Sequence, residues 1–276
     1  MKNGAYQLER VGENERFYDF CLWEYRPLRP WANKLRSAAL LYDSLAAADV
    51  DGRIFDVIAA IRAQIGLSQT VWGVKHIDGR LQWEWYFYDY RRRQREVSAT
   101  AILATLSQWV PSALSVDETI PYFMFSIDID AALCAGTRPL DNVHLYIGNP
   151  GSSVSSGICY GLNRQGMRME NIYFFFDARS QRTEIADKMA CSAFLDPHAL
   201  TLDRVLWPEL RDCRVIVVAN KQGNDSVYFS GISVDQLAFF MKKLNYPEKT
   251  TAFVNRHRQA LDHLWFDVGF DYRMDR

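Results

Sequence analysis

In the segment Leu81–Tyr90, Trp83, Trp85 and Phe87 alternate with Glu84, Tyr86 and Tyr88. Successive side chains of an extended strand point to opposite faces. One face is therefore apolar, and the other carries a carboxylate and two phenols. Such a face suits a ligand-filled cavity in which hydroxyls and a carboxylate orient a small molecule. It equally suits a thick core whose tyrosine hydroxyls reach the rim. Asp128 and Asp130, in Ser-Ile-Asp-Ile-Asp, share a face of an extended segment and could hold a divalent cation with few further ligands; the competing reading is a pair of solvated turn carboxylates. Arg91-Arg92-Arg93-Gln94-Arg95 could grip phosphates, but no aromatic platform follows Tyr90, so a solvated loop entering a helix is expected. The histidines do not cluster, and His257 falls on the apolar stripe of the last expected helix, the usual place of a hydrogen-bonded core imidazole.

Several reaction classes lose support from missing motifs. The chain has no phosphate-binding G-x-x-x-x-G-K-[ST], dinucleotide G-x-G-x-x-G, H-E-x-x-H, G-x-S-x-G elbow or D-x-[DN]-x-[DN]-G calcium loop. No metal and no cofactor is expected. Cys21, Cys134, Cys159, Cys191 and Cys213 are odd in number and widely spaced, unlike a disulfide framework or a zinc site. They are expected to be reduced thiols packed as small apolar residues. A formal net charge of −1 supplies no global field for nucleic acid or an anionic membrane. The chain lacks a signal-like N-terminus and an apolar stretch long enough to span a bilayer, so a cytoplasmic protein is expected.

The elements that position these residues read as one α+β domain over 1–276, with 1–30 an irregular, aromatic-rich N-terminal arm. About half the residues are hydrophobic, enough for a large core. Apolar spacing predicts helices over 31–48 and 54–65. A hairpin turning at Asp78-Gly79 follows, then a helix over 98–110 ended by Pro111. Strands are expected in PYFMFSIDID, DNVHLYIGN, SGICYGLN and MRMENIYFFFDA, then a helix over 183–194 and an N-cap at Asp196-Pro197. After the hairpin CRVIVVANK–QGND–SVYFSGI, Ser233 and Gln236 form a capping box. A last helix is expected over 251–268, ended by Gly269, with GFDYRM as a closing strand. Tyr86-Phe87-Tyr88-Asp89-Tyr90-Arg91 aligns with Phe174-Phe175-Phe176-Asp177-Ala178-Arg179, which suggests repeated hairpin-plus-helix units. Hairpins alternating with helices predict an antiparallel sheet, open or closed into a barrel, with helices outside, and disfavour a doubly wound parallel sheet.

The hairpin from Gly161 to Phe176, with Asn171, Tyr173 and Phe174 after a polar turn, resembles the aromatic prenyltransferases of the antiparallel αββα barrel. Val227-Tyr228-Phe229-Ser230-Gly231-Ile232, followed directly by a helix, is similar to that family's last strand. The resemblance covers roughly 200 residues by its helix–hairpin alternation, and the missing aspartate-rich DDxxD motif agrees with it. The position four before the Asn, basic in that family, is Met167 here. The resemblance implies a ten-strand barrel binding an isoprenoid diphosphate and a small hydrophobic or aromatic acceptor, with prenyl transfer between them. Lys75 and Lys221 would hold the diphosphate and Asn171 would orient it. Tyr173 and Tyr228 would take the catalytic part beside an allylic cation, and Glu84, Tyr86 and Tyr88 would line the substrate space. The alternative is a non-catalytic module on the same scaffold that binds a hydrophobic ligand or a partner protein, a second copy of the chain included.

Overall fold

Asp78 and Gly79 take positive φ values of 49° and 75°, the backbone a two-residue primed turn requires. They join β3 (Thr70–Ile77) to β4 (Arg80–Tyr88) in unbroken antiparallel register. The structure, a computed structural model, describes every residue except 1–7, 16–18, 21–22, 28, 69, 90–94, 150–151, 153, 196–201 and 274–276. In the N-terminal arm β1 (Asp19–Phe20) pairs with β2 (Glu24–Tyr25), and Tyr25 stacks on Trp265 at 5.6 Å. Helices α1 (Ala38–Ala47) and α2 (Arg53–Ile65) precede the first long hairpin.

After β4 come α3 (Ala99–Leu106), β5 (Tyr122–Ile129), the single turn α4 (Ala131–Cys134), β6 (Val143–Gly148), β7 (Ser156–Asn163) and β8 (Gly166–Asp177). Then follow α5 (Arg182–Ala190), β9 (Val215–Lys221), β10 (Asp225–Ile232), α6 (Val234–Lys243), α7 (Glu248–Arg256), α8 (Arg258–Leu261) and β11 (Phe266–Tyr272). Strands β3 to β11 form one nine-stranded antiparallel sheet in which each strand pairs with its sequence neighbours. The sheet is curled into a half-barrel with β3 and β11 at its edges, and no strand pairing joins those edges among the described residues. The α6–α7 loop approaches the free edge of β3, where Tyr246 donates a hydrogen bond to the Val74 carbonyl at 3.3 Å.

One face of the sheet carries the helices. Trp83, Trp85 and Phe87 are at most 1% exposed and pack with residues of α1, α2 and α3. Trp83 Nε1 also donates to the buried Ser44 hydroxyl at 2.8 Å. Phe176, Ile216, Val218, Val227, Phe229 and Val268 form the matching core under α5, α6 and α7. In both halves an aromatic strand runs into a helix and returns as an adjacent antiparallel strand: β4–α3–β5 and β8–α5–β9. The capping box of Ser233 and Gln236 opens α6 as expected.

Several expectations are corrected. The last helix stops at Leu261, and residues 266–272 form a strand. Phe266, Val268, Phe270 and Tyr272 alternate with Asp267, Gly269 and Asp271, a period of two that outweighs the helical spacing before it. Gly269 therefore lies inside a strand rather than ending a helix. The first helix begins at Ala38, well after Trp31. Cys191 is exposed, whereas Cys134, Cys159 and Cys213 are buried as expected. Arg95 is not solvated: its guanidinium pairs with buried Asp89 at 3.0 Å and lies 3.6 Å from the centre of the Tyr122 ring. Asp130 caps α4 by accepting from the Leu133 amide, and no cluster suited to a metal occurs among the described residues. The Asp196-Pro197 cap lies outside the described residues. No helix among the described residues is long and apolar enough to cross a membrane.

Candidate functional site

The face opposite the helices is fixed strand by strand through the register. Glu84 lies across from Gly73 and Asp128, Tyr86 across from Ser126, and Ser126 across from His144. Tyr146 faces Cys159, which faces Asn171; Asn171 faces Lys221. Tyr228 faces Gly269, and Ser226 faces Asp271. All eight residues singled out from the sequence, Lys75, Glu84, Tyr86, Tyr88, Asn171, Tyr173, Lys221 and Tyr228, thus share this concave face. It gathers them into two separate groups.

Glu84 centres the first group. Lys75 Nζ lies 2.5 Å from its Oε2 and 2.8 Å from Asp128 Oδ1. The Ser126 hydroxyl donates to Glu84 Oε1 at 2.6 Å, and the Tyr146 hydroxyl reaches the same oxygen at 3.3 Å. His144 Nδ1 stands 3.9 Å from Glu84 and 3.8 Å from Asp128, while its Nε2 is 3.1 Å from Glu170. A β-bulge makes the last contact possible. Between Cys159 and Tyr160 the register shifts, leaving Glu170 unpaired on β8, and a bulge places such an extra residue out of the normal alternation. Gly161 leaves the space that Glu170 fills, since a Cβ there would come within 2.2 Å of the carboxylate.

Charge in this group is compensated. Glu84 is buried, and burial alone would raise its pKa; the Lys75 ammonium, His144 and the Ser126 hydroxyl outweigh that and hold it well below the ordinary glutamate value. For His144, burial opposes the charged ring. The Glu170 contact and the Glu84 and Asp128 carboxylates prevail and raise its pKa. Lys75 is likewise held protonated against burial by Glu84 and Asp128.

The second group lies on β8 to β11. Asn171 Nδ2 donates to the Tyr173 hydroxyl at 3.1 Å, and Lys221 Nζ binds Asp271 at 2.7 Å. The Ser226 hydroxyl donates to the same carboxylate. A row of rings links the groups: Tyr86 to Tyr146 at 6.3 Å, Tyr146 to Tyr173 at 5.9 Å, and Tyr173 to Tyr228 at 6.2 Å. These rings stand on alternate strands, β4, β6, β8 and β10, above smaller residues such as Ser126, Cys159 and Ala219. Burial raises the hydroxyl pKa of Tyr86, Tyr146 and Tyr173 well above the usual value, so these phenols stay neutral donors. Tyr88 packs lower on the same face with Met124, Tyr146 and Cys159.

At the end of the row Tyr228 lies over Gly269, where a Cβ would sit 2.2 Å from ring carbon Cδ1 and 2.8 Å from Cγ. The ring cannot move aside by a terminal rotation alone. Gly269→Ala is expected to cost about 1–3 kcal/mol, the usual range for overpacking, and Gly269→Ala with Tyr228→Ala is expected to recover part of that loss. Urea denaturation of the single and double variants measures both.

Lys75 and Lys221 are not brought together. They stand on β3 and β9, six strand intervals apart, which at about 4.8 Å per interval is roughly 29 Å along the curved sheet. Each is already held by carboxylates. Sequence reasoning missed Ser126, His144, Tyr146 and Glu170 as members of this face, and it read Asp128 as a cation ligand or a turn carboxylate. Alternation applied to Met124-Phe125-Ser126-Ile127-Asp128 and to His144-Leu145-Tyr146 identifies all but Glu170, which the bulge displaces from the pattern.

No protein-family model matches the chain, and no curated protein matches its sequence.

Proposed function

We propose that the chain is a non-catalytic protein-interaction module that docks a partner protein at one end of its half-barrel. The sheet is a meander, so the β3–β4, β7–β8 and β9–β10 turns and the end of β11 lie along the same rim. Of the four exposed large apolar side chains among the described residues, Ile77, Met167 and Met169 lie at this rim, at 43%, 45% and 46% exposure. The exposure of these three side chains along one rim carries the reading. Methionine adapts to apolar partners and is enriched at interfaces. Strands β3 and β8 are five intervals apart, about 24 Å along the sheet, within the span of a standard interface burying about 800 Å² per partner. Partly exposed Lys75, Asp128 and Glu170 add a charged border suited to complementary groups on the partner.

Prenyl transfer is less well supported by the same geometry. A diphosphate would have to separate Lys75 from Glu84 and Asp128, and Lys221 from Asp271, beside carboxylates that repel it. Geranyl diphosphate at millimolar concentration is therefore expected to leave the melting temperature unchanged, because a ligand stabilises a fold only by binding its native state. Thermal denaturation with and without the ligand checks this. A rise of several degrees that Lys221→Met abolishes would contradict the docking reading and restore the transferase.

A further inference from the structure

A cavity of about 290 Å³ lies away from the concave face, lined by Leu8, Ala39, Tyr42, Asp43, Ala46, Phe253, Arg256 and His257. Its walls come from α1 and from the end of α7. The volume corresponds to roughly ten waters at about 30 Å³ each, room for one small organic molecule rather than a chain segment. Two opposite charges border it without neutralising each other. Asp43 Oδ2 is buried with no hydrogen-bond partner. Arg256 influences Asp43 through space, yet no ion pair between the two occurs in the structure. Burial lifts the Asp43 pKa to about 6 against the opposing field of Arg256, as expected for an acceptor that lacks a cation in contact. The Tyr42 hydroxyl receives Arg62 Nη1 at 3.1 Å and makes no hydrogen bond to Asp43 Oδ2. The remaining wall is apolar at Ala39, Ala46, Leu8 and Phe253 and polar at half-buried His257, whose ring lies 4.5 Å from that of Phe253.

We propose that this cavity binds a free α-amino acid with an apolar side chain, its ammonium on Asp43, its carboxylate on Arg256 and its side chain against Phe253 and the two alanines. A ligand bearing both charges satisfies both residues at once. A simple amine leaves Arg256 unanswered, and a simple carboxylate would sit beside Asp43. The site shares no residue with the rim, so the proposal stands independently of partner docking.

The test is calorimetric titration of the whole chain with L-phenylalanine and L-leucine, alongside N-acetyl-L-phenylalanine and L-phenylalaninamide, which lack the ammonium and the carboxylate respectively. At least one of the two amino acids is expected to bind, and each blocked derivative of L-phenylalanine to bind at least about tenfold more weakly than the parent, a loss of roughly 1.4 kcal/mol. Asp43→Asn and Arg256→Gln are each expected to weaken binding while the ligand-free melting temperature stays near wild type. Absence of heat with both amino acids up to about 10 mM overturns the proposal, and so does equal affinity for the blocked derivatives. The comparison of derivatives on the wild-type chain decides the matter even where a variant fails to fold.

Discussion

Trp85→Ala is expected to cost about 3–5 kcal/mol, the range for deleting a large core aromatic. The indole is fully buried between the sheet and the helices and meets Trp72 edge-on at 5.2 Å. Its loss would remove area from the middle of the core beneath α1 to α3 and leave a cavity that the flanking strand backbone cannot close. Trp85→Phe is a sharper probe. The Trp85 ring N–H is buried without a hydrogen-bond partner, and such an unmet donor costs about 1–3 kcal/mol. Removing it offsets part of the lost packing, so Trp85→Phe should cost less than half as much as Trp85→Ala. Urea denaturation of both variants gives the comparison; a nearly neutral Trp85→Ala would mean that the helix-covered face is assigned wrongly.

Lys75→Met should cost about 3 kcal/mol, at the low end for breaking a buried ion pair by removing one partner. Lys75 itself is one-third exposed, so its own interaction is screened by solvent. The cost arises because Glu84, buried beneath the tyrosines, keeps its charge with no ammonium beside it. Glu84→Gln on its own should cost less, because Lys75 retains Asp128, and the double variant should lose much less than the sum of the two single losses. The pH dependence has a definite sign. A carboxylate whose pKa is depressed by folding contributes stability above its unfolded value and loses that contribution as the pH falls below it. For Glu84 the loss should begin below the ordinary value of 4.5. In Lys75→Met the depression shrinks, so the variant should depend less steeply on pH in that range. Chemical denaturation between neutral pH and pH 3 separates these behaviours.

The sheet was legible wherever alternation was clean and a turn was chemically marked. Asp78-Gly79 fixed the register of β4, and that register correctly divided Trp83, Trp85 and Phe87 from Glu84, Tyr86 and Tyr88. The C-terminal strand was harder, because Leu261, Leu264 and Trp265 continue a helical spacing up to the point where Phe266 begins a period of two. Closure could not be read at all: it depends on whether β3 meets β11, a contact between strands nearly 200 residues apart in sequence. The charged cluster was half visible. Lys75 and Glu84 were identified, but His144 and Glu170 meet only because one bulge and one glycine coincide on neighbouring strands. Pairing partners of this kind are set by strand order, which local spacing does not encode.

Docking at the rim is tested most directly by titrating a partner against the wild-type chain and against Met167→Glu/Met169→Glu. The partner is first selected as a protein retained by the wild-type chain, then purified and measured alone by calorimetry against both chains. Both methionines are about half exposed, so the substitutions should alter stability by no more than about 0.5 kcal/mol. The account predicts a dissociation constant raised at least about thirtyfold, the effect of losing an interface hot spot worth about 2 kcal/mol. Equal affinity for the two chains, or the absence of any protein that distinguishes them, would contradict it.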